Sequence, residues 1–333
     1  MRTARAMVVV GILGGLGCAS SRGPQPAVVV PPQTVAAAPA TVDCALSPAT
    51  CATPLRGLTH ETLHASLWMQ TAAEYGVLSS TTYRAATSAL TRALADKTWT
   101  AALEQTGPAT DKPPAVIVDV DETVLDNSPM QIQLALEGTD YCTPTWRAWV
   151  AQAAARPIPG ALEFARDAAA RGVRILYVTN RTAEEKADTV RNLRCARKDA
   201  DGLCAAFPVE EGDVYAVGDR PGDGAEAWTS DKTKRRAYLA ERFRILLLVG
   251  DDLRDFVSVP SLTRPEGRVE IAQRYADRWG ERWFLLPNAM YGSWDRSLYP
   301  PELKDDRAIL QAKRLAGRAF REPYPHADAC RAN

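Results

Sequence analysis

The sequence predicts an α/β fold built on a doubly wound parallel sheet, on three observations. Short apolar runs recur after residue 114, at 115–118, 173–178, 214–217, 244–249 and 283–286. Helical stretches separate them, the spacing expected when strands lie side by side and helices cover both faces. Finally, the first, second and fourth runs each end in hydrophilic residues: Asp119-Val-Asp121-Glu-Thr123, Thr179-Asn-Arg-Thr182 and Gly250-Asp-Asp-Leu-Arg-Asp255. Open sheets of this class bind ligands at the carboxyl ends of their strands.

The chain has 333 residues, 46% of them hydrophobic and 24% charged, enough for one large domain with a good core. Its 40 basic and 40 acidic side chains cancel, which argues against a protein that coats a nucleic-acid polymer.

Taken in order, residues 1–17 read as a signal peptide. Arg2 and Arg5 precede the apolar run from Met7 to Leu16, and Gly17-Cys18-Ala19-Ser20 follows. That run is too short for a comfortable membrane span. Cys18 after Gly17 resembles a bacterial lipobox, in which the cysteine is lipidated, although Gly15 stands where Leu is usual. The reading is an exported protein of the cell envelope tethered by a lipid on Cys18, or a periplasmic or secreted one if simply cleaved. Residues 18–57, rich in Pro, Ala and Val, suit a flexible tether. Six cysteines remain besides Cys18. An even number in an oxidising compartment suggests disulfides, with Cys44/Cys51 and Cys195/Cys204 as local pairs and Cys142 left with Cys330.

From residue 58 the chain reads as one catalytic-size domain to 333. Apolar residues at three- and four-residue steps between His60 and Lys97 predict two helices with an interruption near Gly76 to Ser80. The polar, Pro-containing stretch from Gly107 to Pro114 is a loop, and the sheet begins after it. Several Asp side chains gathered at one sheet edge resist joint ionisation unless a cation joins them. A hard, oxygen-loving ion, most simply Mg²⁺, would relieve that repulsion. Thr182 and Glu185 have capping-box spacing, which would open a helix near an anion. A metal beside an anion site suggests phosphate chemistry.

The run Asp119-Val-Asp121-Glu122-Thr123 resembles the DxDxT motif of the haloacid dehalogenase (HAD) superfamily. The wider stretch from Val118 to Ser128 looks like its secreted branch, the class C bacterial acid phosphatases, which include lipoprotein 5′-nucleotidases. Further matches are Trp146-Arg-Ala-Trp149, Val178-Thr-Asn-Arg181, Lys232-Thr-Lys-Arg-Arg236, Val249-Gly-Asp-Asp-Leu-Arg-Asp-Phe256 and Leu286-Pro-Asn-Ala-Met-Tyr-Gly292, in family order over about residues 60 to 300.

The resemblance implies a HAD-like sheet with a small helical cap at about 126–160 and an N-terminal helical extension. It makes Asp119 the nucleophile that forms an aspartyl-phosphate, and Asp121 the acid and base. Thr179, Asn180 and Arg181 would meet the phosphoryl group, and Lys232, or alternatively Lys234, would neutralise it. Asp119, Asp251 and the Asp121 carbonyl would hold Mg²⁺, with Asp252 or Asp255 supporting a ligand water; Asp252 stands where the family usually has Asn. Tyr141, Trp146, Trp149 and Tyr291 are candidates to stack on the ring of a small nucleotide-like phosphomonoester such as NMN or AMP.

Two rival readings exist. His60-Glu-Thr-Leu-His64 fits the HExxH pattern of zinc metalloproteases, without the extension that would supply a third ligand. A non-catalytic, lipid-anchored binding protein on a phosphatase-like fold is the other, weakened by the presence of Asp119, Asp121, Lys232 and Asp251 together.

Overall fold

The computed structural model describes residues 60–139, 141–198, 201–260, 264–300, 302–303 and 306–319. The expected signal peptide, Cys18, the tether, Cys44, Cys51 and Cys330 lie outside the described residues. Within the described residues no helix is long and apolar enough to cross a membrane.

All five expected strands form one parallel sheet. Its strands are β1 (Pro114–Val118), β4 (Arg174–Thr182), β7 (Val214–Val217), β8 (Arg244–Gly250) and β9 (Trp283–Leu285), in the order β7-β4-β1-β8-β9. Each neighbouring pair is parallel. Two-residue strands β2 (Leu125–Asp126) and β3 (Arg156–Pro157) pair antiparallel, as do β5 (Arg197–Lys198) and β6 (Cys204–Ala205). The last pair sits beside the Cys195–Cys204 disulfide, the local bridge expected from spacing. Cys142 is exposed and unbridged.

Because side chains alternate along a strand, each central strand feeds two cores. Val116, Val118, Ile175 and Tyr177 pack in one apolar cluster, and Ala115, Ile117, Leu176 and Val178 in the other. The first cluster is closed by the helices Ala73–Ala95 and Ala161–Ala170, the second by Thr233–Arg242 and the aromatic group around Trp283. On the Ala73–Ala95 helix, Tyr83, Ala86, Ala89, Leu90 and Ala93 form the buried stripe, and the alanines let it lie close to the sheet. The start of the Ala161–Ala170 helix also approaches it closely: Gly160, its N-cap, has φ +89°, and a Cβ there would meet Ser80 Cα and Tyr83 Cβ at 3.1 Å.

The N-terminal helices differ from expectation in one detail. They run Glu61–Thr71 and Ala73–Ala95, so the break falls at Ala72, in extended conformation, and Gly76 lies inside the second helix. A glycine in a helix interior costs roughly 1 kcal/mol against alanine. Burial of Tyr75, Ser79 and Tyr83 along one face of the same helix outweighs that local preference.

Candidate active site

Register brings the acidic residues together. Val118 of β1 is opposite Val249 of β8, and Asp119 N–H donates to the Val249 carbonyl at 3.0 Å. The end of β8 at Gly250, and Asp251 just past it, therefore lie beside Asp119. Asp255 folds back over the same strand end, its Oδ2 accepting from Asp251 N at 3.1 Å and from Asp252 N at 2.9 Å. Only glycine permits this at 250, since a Cβ there would lie 2.3 Å from Asp255 Oδ2. Carboxylate oxygens of Asp119, Asp251 and Asp255 consequently all lie within 4.8 Å of one another.

Lys232 enters this group from just before the Thr233–Arg242 helix. Its Nζ donates to Asp119 Oδ1 and lies 2.6 Å from Asp255 Oδ1. The two lysines of the Lys-Thr-Lys run are placed differently: the Lys232 side chain is 5% exposed, whereas Lys234 is 73% exposed and pairs with Glu226. One ammonium does not balance three carboxylates. Burial pushes Asp119 up to about 7 against the pull of Lys232, with Asp255 and Asp121 adding to the rise. Burial, then Asp255 and Asp119, push Asp251 well above the usual carboxylate range. Lys232 is raised: burial works against its charge, but Asp119 and Asp255 outweigh it.

An all-oxygen, anionic donor set short of positive charge fits a hard divalent cation, and contains no sulfur or imidazole that would favour a softer one. Asp255 already has both oxygens engaged, by Lys232 and by two backbone amides. Asp251 accepts only from neutral donors, Thr123 Oγ1 at 3.1 Å and Asn288 Nδ2 at 2.8 Å. Asp119 and Asp251 are therefore the side chains best placed to hold the ion.

Asp121 belongs to a different setting. Arg181, from the end of β4, forks onto it with Nε at 3.0 Å and Nη2 at 2.8 Å from Oδ1, and Asn127 Nδ2 donates to the same oxygen at 2.9 Å. Between Asp119 and β2 the chain makes a tight turn in which Glu122 has φ +56°, a left-handed conformation uncommon for a residue with a Cβ. The Glu122 N–H to Leu125 carbonyl bond at 2.8 Å and the Tyr83 hydroxyl to Thr123 carbonyl bond at 2.6 Å hold that turn.

Both settings open into one cavity of about 1080 Å³, lined by Asp119, Asp121, Asn180, Arg181, Lys232 and Asp251 at its chemical end. Trp146, Tyr141, Tyr291 and Met290 line its walls, and Ile309, Leu310 and Lys313 of the helix Asp306–Ala319 complete it. The Arg181 guanidinium lies 5.4 Å from the Trp146 ring centre.

Several residues stand elsewhere than expected. Thr179 is fully buried and does not line the cavity; its Oγ1 accepts from Arg181 N at 3.1 Å. Arg181 contacts Asp121 rather than lying free for substrate. Trp149 packs at the edge of the core and gives its indole N–H to Asn127 Oδ1 at 2.7 Å. Asp252 turns away from the carboxylate group: it caps the turn at Arg254 N (3.0 Å), accepts from Ser293 N (2.6 Å) and faces Arg268 at 3.9 Å. The capping box is present, with Thr182 N donating to Glu185 Oε2 at 2.8 Å, but it opens a single 3-10 turn before the helix Lys186–Arg194.

The HExxH pairing does not form. His60 is the N-cap of the Glu61–Thr71 helix, outside it and with Nδ1 turned to Thr62, while His64 is exposed on the helix. Among the described residues, the three aspartates are the one group of His, Cys, Asp or Glu placed to share a metal ion.

Sequence reasoning missed Asn127, Thr123, Asn288 and Arg235. Arg235 is fully buried, donates to the Thr179 carbonyl and to Asn180 Oδ1 (2.8 Å), and so fixes the end of β4. Burial pushes it down to about 10. It sits in the basic run after Lys232, where nothing local distinguishes an inward arginine from a solvated one.

A parallel sheet presenting Asp-x-Asp after one strand, a paired lysine, and further aspartates after the adjacent strand defines a phosphohydrolase of the HAD class. Two solved structures of the class C acid phosphatase from Bacillus anthracis, one with tungstate bound, match the chain at 28% identity and a TM-score of 0.63, covering 80% of this chain and 99% of theirs. The model of the HAD superfamily, subfamily IIIB (acid phosphatase), matches residues 43–294, and the chain belongs to that family. It is a phosphomonoester hydrolase of a divalent-metal-using family.

Proposed function

We propose that this protein is an exported, Mg²⁺-dependent acid phosphatase that hydrolyses small nucleotide-like monoesters through an aspartyl-phosphate on Asp119. The observation carrying this reading is the meeting of Asp119, Lys232, Asp251 and Asp255 at the floor of the cavity that also holds Asp121.

Asp119, oriented by Lys232, would attack phosphorus, and the ammonium would offset charge on the phosphoryl oxygens. Asp121 would give a proton to the leaving oxygen as its bond to phosphorus breaks, then take one from the water that cleaves the acyl phosphate. The Asp119 and Asp251 carboxylates, with the Asp121 carbonyl that the family pattern adds, would hold the cation. Once bound, Mg²⁺ supplies charge neutralisation at the phosphoryl oxygens and lets both carboxylates stay ionised. Asn180 lines the cavity beside these groups. Thr179 and Arg181 act through the strand end and through Asp121.

The leaving-group side supports a flat ring: Trp146 and Tyr291 line the cavity, the former with Arg181 against its face. The segment 126–160, with helices Ser128–Glu137 and Thr143–Val150, is the cap that carries Trp146. Export rests on residues 1–17 and a lipid anchor on Cys18, read from sequence. Tungstate binding by the Bacillus anthracis relative supports an oxyanion-accepting site.

The test is phosphate release from AMP, NMN and p-nitrophenyl phosphate, with and without EDTA, on protein lacking residues 1–18. Turnover lost on chelation and restored by Mg²⁺, with nucleotides preferred, is the expected result. Indifference to EDTA would overturn the metal assignment, and equal use of all three esters would overturn the substrate class.

A further inference from the structure

Asn127 is fully buried between the proton-transferring carboxylate and the cap. Its Oδ1 accepts from the Trp149 indole at 2.7 Å, and its Nδ2 donates to Asp121 Oδ1 at 2.9 Å. An indole N–H can only donate, which fixes the amide's orientation and aims its NH₂ at the carboxylate. On the other side, Asn127 N–H donates to Glu122 Oε1 at 2.7 Å, and Nδ2 also reaches Glu122 Oε2 at 3.3 Å. Glu122 is the residue held in the left-handed conformation, so a strained turn is locked by this same amide.

The consequence falls on one oxygen. Asp121 Oδ1 receives Arg181 Nε, Arg181 Nη2 and Asn127 Nδ2, whereas Oδ2 receives only Arg181 Nε, at 3.3 Å. The carboxylate is therefore fixed with Oδ1 saturated by donors and Oδ2 the less engaged of its two oxygens.

We propose that Asn127, gripped by Trp149 and Glu122, is the positioning residue that sets Asp121 Oδ2 as the proton-transferring oxygen in leaving-group departure. In that step the Oδ2–H proton passes to the ester oxygen as its bond to phosphorus breaks. Asp121 is left as carboxylate, and the electron pair of the broken bond stays on the departing, now protonated, alcohol. The proposal rests on Asp121 as the acid. It goes further in adding a residue outside the cavity lining and in linking the cap helix, through Trp149, to the chemistry.

A general acid matters more the more basic its leaving group, so the readout is kcat/KM across monoesters from p-nitrophenyl through phenyl to a simple alkyl phosphate. Asn127→Ala should lose about tenfold on the nitrophenyl ester and about hundredfold or more on the alkyl ester, within the range general acids supply. Asn127→Asp keeps shape and the acceptor for Trp149 but removes the donor to Asp121, and should steepen the dependence at least as much. Trp149→Phe, a milder variant, should show the same trend with smaller losses. Equal losses on every ester in Asn127→Ala and Asn127→Asp would overturn the proposal, because fewer folded molecules or a distorted pocket floor scale all substrates alike. Asp121→Ala separates the two levels. If it shows no leaving-group dependence, the assignment of the acid fails; if it does while the Asn127 variants do not, only the present inference fails.

Discussion

The two halves of the site handle charge in opposite ways. Around Asp119, three carboxylates face the Lys232 ammonium, and burial with mutual repulsion raises Asp119 and Asp251 beyond what that charge offsets. Around Asp121, an arginine and an amide already saturate one oxygen. On the proposed reading, a nucleophile shared with a metal would be left incomplete by the polypeptide and finished by the ion. A proton carrier has to be complete in the chain, since its geometry decides which atom receives the proton.

The sharpest way to break the contrast is to remove the proposed nucleophile. Asp119→Asn should lower turnover on the order of 10⁴-fold or more, by comparison with other deleted nucleophiles, measured by phosphate release. Lys232→Met should cost about 10²–10³-fold in kcat, as for loss of a charge-stabilising donor. It also strips Asp119 and Asp255 of the ammonium they both pair with, so denaturation curves should show lower metal-free stability.

Proton competition sharpens the comparison further. In the unfolded chain Asp119 and Asp251 titrate near the ordinary carboxylate value of about 3.9. In the fold both are raised, Asp119 to about 7. Between those values the metal-free folded protein holds more protons than the unfolded chain. The contribution of these groups to stability is thus fully present below about pH 4 and falls as pH rises towards 7. Mg²⁺ needs the ionised forms, so the rise in Tm on adding Mg²⁺ should grow from pH 5 to pH 7. A rise that does not change over that range would contradict the uncompensated character of this half.

Asp252 should give a small effect. Asp252→Asn keeps the oxygen that caps Arg254 N but loses the acceptor for Ser293 N and the attraction to Arg268 at 3.9 Å, worth about 1–2 kcal/mol together, or a Tm fall of about 2–6 °C. Its metal affinity should barely change, because the side chain points to Ser293. Smallest is Lys234→Ala, whose exposed pair with Glu226 predicts stability within about 0.5 kcal/mol of the parent and unaltered turnover.

The contrast also explains what could be read in advance. The five strands were legible because each is a short apolar run, and the three central ones, β1, β4 and β8, bury nearly all of theirs on both faces. Asp119 and Asp251 were legible because they directly follow two of those runs, and parallel register makes them neighbours. The second half draws on residues 121, 127, 149 and 181, whose meeting depends on how the turn at Glu122 folds and where the helix Thr143–Val150 docks. No local pattern marks Asn127 as inward, nor separates Arg235 from its solvated neighbours in the basic run. The helix break at Ala72 was misplaced for a related reason, since the penalty at Gly76 is local and the burial that overrides it is not.

The most direct test of the central claim is an acid quench during steady turnover of a phosphomonoester, followed by peptide mapping of the protein by mass spectrometry. The account predicts a phosphoryl group on the peptide containing Asp119, present only while substrate lasts and missing in Asp119→Asn. A fully active enzyme whose quenched peptides carry no phosphoryl group, or carry it on another residue, would contradict it.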